Sequence, residues 1–329
     1  MINLPAIELT ELTPKISLSP TLPDSKIWSE FLALQISPAT RTSYAASLKD
    51  FFRRQFNIAV SPSAIEYFLS CSESDALGHV LVYRGQLLAA GLAAGTINAR
   101  LAALKSFVNH AARRKLCDFR LNDIRAVKAQ TYKDTRGVSI DQFQDLIDSL
   151  DRSTPLGCRN YAILRLLWDN GLRRGEVCGL DRADFRCGEA RLMLRGKGRI
   201  DKEPLDLAPV TVAAIADWLT VAADWQSSRG LAQVEPALFL SSRNTRLSAS
   251  QLYKMVRELA AAADSIDRVV SPHRVRHSSI TALLDLNGGN LRAAQAHSRH
   301  KDVSTLIRYD DNRQELQGKS ARTLANAID

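Results

Sequence analysis

The chain has 329 residues, 45% of them apolar and 24% charged, the make-up of an ordinary globular protein with room for two cores. Its 44 Lys and Arg against 35 Asp and Glu leave a net charge of +9, which points to a polyanionic partner. Five cysteines without a Cys-x-x-Cys spacing exclude a disulfide framework and a zinc knuckle, and no stretch is apolar enough to span a membrane.

Residues 1–24, with prolines at 5, 14, 20 and 23, read as an irregular arm, because proline cannot continue a long helix. They lack the basic-then-apolar layout of a secretion signal, so a cytoplasmic protein is expected. A helical domain is predicted over 25–116. Ser37-Pro38 is an N-cap followed by proline at the first helical position. Tyr44, Leu48, Phe51, Phe52 and Phe56 then recur at helical spacing, with Arg41, Lys49 and Arg53 on a different face. Shorter helices follow over 62–69 and about 74–90. A fourth carries the stripe Ile97, Leu101, Leu104, Val108 and Ala111, with Arg100 and Lys105 off it. Residues 117–136 lose this periodicity and read as the interdomain linker.

A second domain is predicted over 137–329. Ser139 caps a helix to about residue 150, and a more apolar helix over 158–170 is closed by Gly171. Residues 190–194 and 203–207, either side of Gly196-Lys197-Gly198, read as a small antiparallel hairpin or three-stranded sheet. Helices resume at about 209–223, 248–263, 272–286 and 290–297. The expected fold is therefore mainly α: four N-terminal helices, then an α+β domain with one small antiparallel sheet. A short terminal helix presents Ala321, Leu324, Ala325 and Ile328 on one face, suited to docking on a neighbouring subunit or on its own.

The basic surplus is uneven. Residues 38–136 hold 15 Lys and Arg to 7 Asp and Glu, whereas 137–329 hold 27 to 24, so the polyanion-facing surface is expected mainly on the helical half. In the second half the cations of interest are single residues in special settings. Arg173 follows the Gly171 turn and precedes Glu176 by three positions, where a side chain can enter a cleft; alone, the spacing favours a plain surface arginine. Lys197 stands between two glycines at a hairpin tip, a mobile ammonium or an ordinary turn lysine. Ser271-Pro272 starts a helix, which puts His273, Arg276 and His277 on one face near its positive end, a setting for an anion. Arginine among these histidines and His300 opposes a metal ion, and His277 also reads as a packed or capping residue. Tyr309 in isolation would be a core or interface tyrosine.

In order, Arg173, Lys197, His273-x-x-Arg276, His300 and Tyr309, with the surrounding text GLRRGEV, GKG and HRVRHSSITALL, resemble the signature of the tyrosine recombinase family of phage integrases and Xer and Cre recombinases. The likeness runs over about residues 26–315. TRTSYAASLKDFFRRQF and GLAAGTINARLAALKSFVNHAARRKL are similar to that family's SAM-like core-binding domain. The resemblance implies a simple Xer- or Cre-like enzyme that cuts and rejoins DNA through a 3′-phosphotyrosyl link, as a tetramer on two sites, by way of a Holliday junction. It implies catalysis by Arg173, Lys197, His273, Arg276, His300 and Tyr309, with Glu176 supporting the first arginine. No metal or cofactor is expected, since the ester retains the bond energy. Arg41, Lys49, Arg53, Arg100, Lys105 and Arg299 are the expected DNA contacts. The family commonly has glycine where Arg299 stands. A type IB topoisomerase-like enzyme and a catalytically silent DNA-binding accessory protein remain alternatives.

Overall fold

The computed structural model describes residues 26–128, 137–196, 201–227 and 235–300, and positions 302, 303, 306, 322, 325 and 326. The chain divides after residue 133 into two compact units. None of the described helices is long and apolar enough to cross a membrane.

Among its described residues the first unit holds five helices: α1 (Ile27–Ala33), α2 (Pro38–Phe56), α3 (Pro62–Ser70), α4 (Glu73–Ala89) and α5 (Ala94–Arg113). The sequence predicts four. The additional α1 has seven residues and no side-chain cap, which leaves little local signal, and it forms because Ile27 and Phe31 are buried in the shared core. That core is built on an aromatic cluster of Phe51, Phe52, Phe56, Phe68 and Tyr83, packed mostly edge to face.

The stretch read as the start of the linker packs on this unit. Cys117, Phe119, Leu121 and Ile124 are buried in the same core. The polar flank of α5 holds this stretch in place. The Asn98 side chain donates to the Val127 carbonyl (2.9 Å) and accepts from its N–H (2.8 Å), and Lys105 donates to the Ile124 carbonyl. Lys105, expected to meet DNA, is thus engaged inside the unit.

Arg100 is similarly committed. Asp50 accepts from Arg100 Nη1 (2.5 Å), Arg53 Nη2 (2.8 Å), Arg54 Nε (3.1 Å) and the Tyr83 hydroxyl (2.9 Å). Burial pushes the Asp50 carboxyl up, but these donors outweigh it and hold it below the usual range. Asp50→Ala would leave a buried phenol without its acceptor and three guanidinium groups without their shared anion. We expect it to cost about 2 kcal/mol, read as a lowered midpoint in urea unfolding, with the slope unchanged. Arg41, Lys49 and Arg53 remain exposed on α2.

In the second unit a capping box opens α6 (Ile140–Asp148): Ser139 accepts from Gln142 N, and the Gln142 side chain accepts from Ser139 N. The central α7 (Pro155–Asp169) packs against α9 (Pro209–Ser227) and α11 (Pro272–Leu286). Between α7 and α9 lie the short α8 (Arg174–Cys178) and a three-stranded antiparallel sheet in the order β1-β2-β3 (Phe185–Arg186, Arg191–Arg195, Lys202–Asp206). Leu192 pairs with Leu205 and Arg195 with Lys202, so the β2–β3 connection is the Gly196-Lys197-Gly198 segment and the residues after it. Trp218 of α9 is wholly buried and donates its ring N–H to the Leu238 carbonyl (2.8 Å). The last elements that the described residues give in full are α10 (Ala249–Ala262), α11 and α12 (Leu291–Ser298). Of the expected terminal helix only Arg322, Ala325 and Asn326 are described; the rest lies outside the described residues.

Candidate active site

Three distant segments converge in the second unit. The first is the exit from α7. Gly171 adopts φ +53°, and the Leu172 N–H reaches back to the Leu166 carbonyl (3.2 Å), so the chain turns sharply before α8. A Cβ at Gly171 would lie 3.0 Å from His297 Nε2, which makes the turn a point of close approach as well. Arg173 is the residue before α8. Glu176, one turn on and buried, accepts from the Arg173 N–H (2.8 Å) and from Arg173 Nη1 (2.7 Å). The Arg173 side chain keeps 29% of its surface exposed.

The second segment is the start of α11, capped by Ser271, whose hydroxyl accepts from Arg274 N (3.3 Å). His273 and His277 stand one turn apart with ring centroids 5.1 Å from each other. Arg276 on the same face is 1% exposed. Its Nη1 donates to the Gly171 carbonyl and its Nη2 to the Ser298 carbonyl, which ties α11 to both other segments.

The third segment is the end of α12. Arg299 takes a left-handed backbone, φ +54°, and directs the chain so that His300 Nε2 stands 3.4 Å from Arg276 Nη2. Arg299, expected to reach DNA, instead turns inward. Its Nη1 donates to the carbonyls of Asn170 (2.9 Å) and His297 (3.1 Å), and its Nη2 to the Gly171 carbonyl (3.3 Å) and Glu176 Oε2 (3.0 Å). Beneath them, Ser279 donates to the Trp168 carbonyl and its oxygen lies 2.9 Å from His297 Nε2.

The electrostatic result is a positive focus among histidines. Burial, then the charges of Arg276 and Arg173, hold His273 below the ordinary histidine range. Burial first and then neighbouring cations bring His277 down to about 3 and His300 down to about 4. His297 falls to about 4 by burial, with Arg299 and Arg276 adding to it. At neutral pH the imidazoles are uncharged and the positive charge belongs to the guanidinium groups. Burial pushes the Glu176 carboxyl up, but the Arg173 N–H and the Arg299 and Arg173 charges hold it below the usual range. Such a cluster is arranged to receive an anion with several oxygens. Among the described residues no three His, Cys, Asp or Glu side chains gather in a metal-binding arrangement.

The structure thus brings Arg173, Glu176, His273, Arg276 and His300 together. Lys197 and Tyr309 lie outside the described residues. Leu306, three positions before Tyr309, is buried with Ile280 and Leu284 of α11 and Ala294 of α12. Sequence reasoning did not single out His297, Ser279 or the inward role of Arg299. One signal for the last was available: a position just past a helix end that glycine usually fills requires a left-handed backbone, which directs the side chain differently from a helical one.

Residues 138–315 match the phage integrase family. The chain is 42% identical over 308 residues to a tyrosine recombinase of Synechocystis sp., an alignment that spans 93% of this chain and 96% of that one. The fold resembles that of the XerH site-specific recombinase bound to palindromic difH substrate in a post-cleavage complex, with a TM-score of 0.61 and 18% identity over 86% of this chain and 79% of the other. It also resembles a lambda integrase tetramer bound to a Holliday junction, with a TM-score of 0.59 and 15% identity over 88% and 77% of the two chains.

Proposed function

We propose that this chain, which belongs to the phage integrase family and is a tyrosine-type site-specific recombinase, cuts DNA with the Tyr309 hydroxyl as nucleophile inside the pocket of Arg173, Arg276, His273 and His300. The observation that supports this reading is the convergence of the three segments: Arg276 bonds to both the Gly171 turn and the Ser298 carbonyl and stands beside His300.

A phosphodiester attacked by an oxygen passes through a five-coordinate state with more negative charge on its non-bridging oxygens. Cations fixed in advance stabilise that state more than the ground state. Arg173, partly exposed and braced by Glu176, offers a fork to those oxygens. Arg276 adds a buried charge; at 1% exposure, direct contact with phosphate requires the groups that roof it to give way. A phenol with a pKa near 10 needs a base at neutral pH, and a neutral His273 accepts its proton. His300 hydrogen-bonds the phosphate, and Lys197 protonates the departing 5′ oxygen. The products are a 3′-phosphotyrosyl ester and a free 5′ hydroxyl. The reverse attack rejoins strands without an outside energy source, because the ester conserves the bond energy.

Exchange of two duplexes requires four such centres, which the tetrameric lambda integrase on a Holliday junction supports as the working assembly. Arg41, Lys49 and Arg53, exposed on α2, are the proposed phosphate contacts of the first unit. For an enzyme that acts on DNA, the reading extends to a cytoplasmic protein associated with the nucleoid.

The test is a nicked suicide duplex drawn from the DNA flanking this chain's own gene, incubated with the protein, digested and sequenced by mass spectrometry. We expect a single adduct, on Tyr309, linked to a 3′ phosphate, and none with Tyr309→Phe. An adduct on another residue, or one that survives the phenylalanine change, overturns the assignment.

A further inference from the structure

We propose that Arg299 is a positioning residue for strand cleavage, which keeps Arg173 electrostatically available to phosphate by sharing the charge of Glu176; this rests on the reading of Arg173 as a phosphate ligand. The reasoning starts from charge. A buried carboxylate bonded to one arginine forms a neutral pair, and a neutral pair attracts an anion weakly. Here Glu176 bonds to two: Oε1 faces Arg173 Nη1 at 2.7 Å, and Oε2 faces Arg299 Nη2 at 3.0 Å. The triad therefore carries one net positive charge, and Arg173, with 29% of its side chain exposed against 22% for Arg299, is the more accessible end.

Geometry supports the same role. Arg299 adopts, at φ +54°, the left-handed backbone that glycine takes freely. An arginine in that conformation sends its guanidinium back across the turn, where it also holds the carbonyls of Asn170 and Gly171. The Gly171 carbonyl is the one Arg276 uses. One side chain therefore adjusts the charge of the first arginine and fixes an anchor of the second.

A double-mutant cycle of Arg299→Gly with Glu176→Gln tests this, with orthovanadate as the five-coordinate phosphate probe. Vanadate affinity is read from thermal shifts, and single-turnover cleavage of the nicked duplex is read at saturating DNA. Arg299→Gly is expected to keep the fold, weaken vanadate binding about 10-fold and slow cleavage about 10–100-fold, while affinity for the duplex changes less than about 3-fold. In the Glu176→Gln background, where no carboxylate neutralises Arg173, the same change is expected to cost less than about 2-fold. Should the single glycine variant fail to fold, the comparison of Glu176→Gln with the double variant still reads this last quantity, and a loss well above about 2-fold there overturns the proposal. A wild-type rate in Arg299→Gly overturns the proposal, and so does a loss of equal size in both backgrounds, which marks a role in shape alone. If the wild-type protein itself neither binds vanadate nor forms an adduct, the reading of the pocket falls and takes this one with it.

Discussion

Arg276→Ala is expected to reduce strand cleavage by about a thousand-fold and, at the same time, to lower stability by about 3 kcal/mol. Both effects come from one guanidinium. It is 1% exposed and donates to the carbonyls of Gly171 and Ser298, two segments separated by more than a hundred residues. Alanine leaves two buried carbonyls without those donors and opens a void where α11, α12 and the α7–α8 turn meet. It also removes the charge that, after burial, contributes most to keeping His300 down at about 4. Arg276→Lys separates the two losses. An ammonium preserves the charge but cannot present two donors in a planar fork to carbonyls on opposite sides, so stability is expected to recover in part and cleavage very little. Denaturant unfolding and single-turnover adduct formation, measured on both variants, check this. An alanine variant as stable as the wild type would mean that Arg276 is not the tie between the segments.

Much of the frame that carries this site is legible in the sequence, because its signals are local. Ser139 with Gln142 three residues on announces α6, Ser271-Pro272 announces α11, and Gly171 marks the end of α7; each is satisfied by bonds within one turn. The paired halves of the small sheet stand out for the same reason, through alternation either side of a glycine turn. What is not legible depends on partners far along the chain. The helix α1 exists because Phe31 stacks on Tyr44 and meets Phe107 edge to face, and the stretch 117–127 is held by Asn98 and Lys105 on α5. Arg100 and Lys105 illustrate the same limit for charge. A cation off an apolar stripe reads as a surface group, and only the fold shows that Asp50 and a backbone carbonyl have claimed them. The bonds of Arg276 go to main-chain carbonyls, which every residue has, so no residue type could have announced them.

Stability is expected to fall as pH drops from 6.5 towards 5, by about 3 kcal/mol after allowing for solvent screening of partly exposed rings, and anion binding is expected to oppose the fall. His277 is held at about 3 and His297 and His300 at about 4, whereas the unfolded chain takes up protons on histidine near 6.5. Between these values the unfolded state binds more protons than the folded one, so protonation pulls the equilibrium towards unfolding as pH falls. The stabilisation is complete above 6.5 and is lost on descending through the window. Each ring that is neutral when folded and charged when unfolded adds at most about 1.4 kcal/mol per pH unit. The upper part of the window lies above the carboxylate range, so titration between pH 6.5 and 5 reports mainly the histidines. Sulfate, which does not titrate there, is the suitable anion. Seated between Arg173 and Arg276, it would offset the charges that depress His273 and His300 and let those rings protonate in the folded state. Linkage then requires sulfate to bind more tightly at pH 5 than at pH 7 and to flatten the pH dependence of stability. Urea midpoints across pH 5–7.5, with and without sulfate, measure both. A flat profile without sulfate would show that these imidazoles face water rather than the arginine pocket. A sulfate effect independent of pH would place the anion elsewhere on the protein.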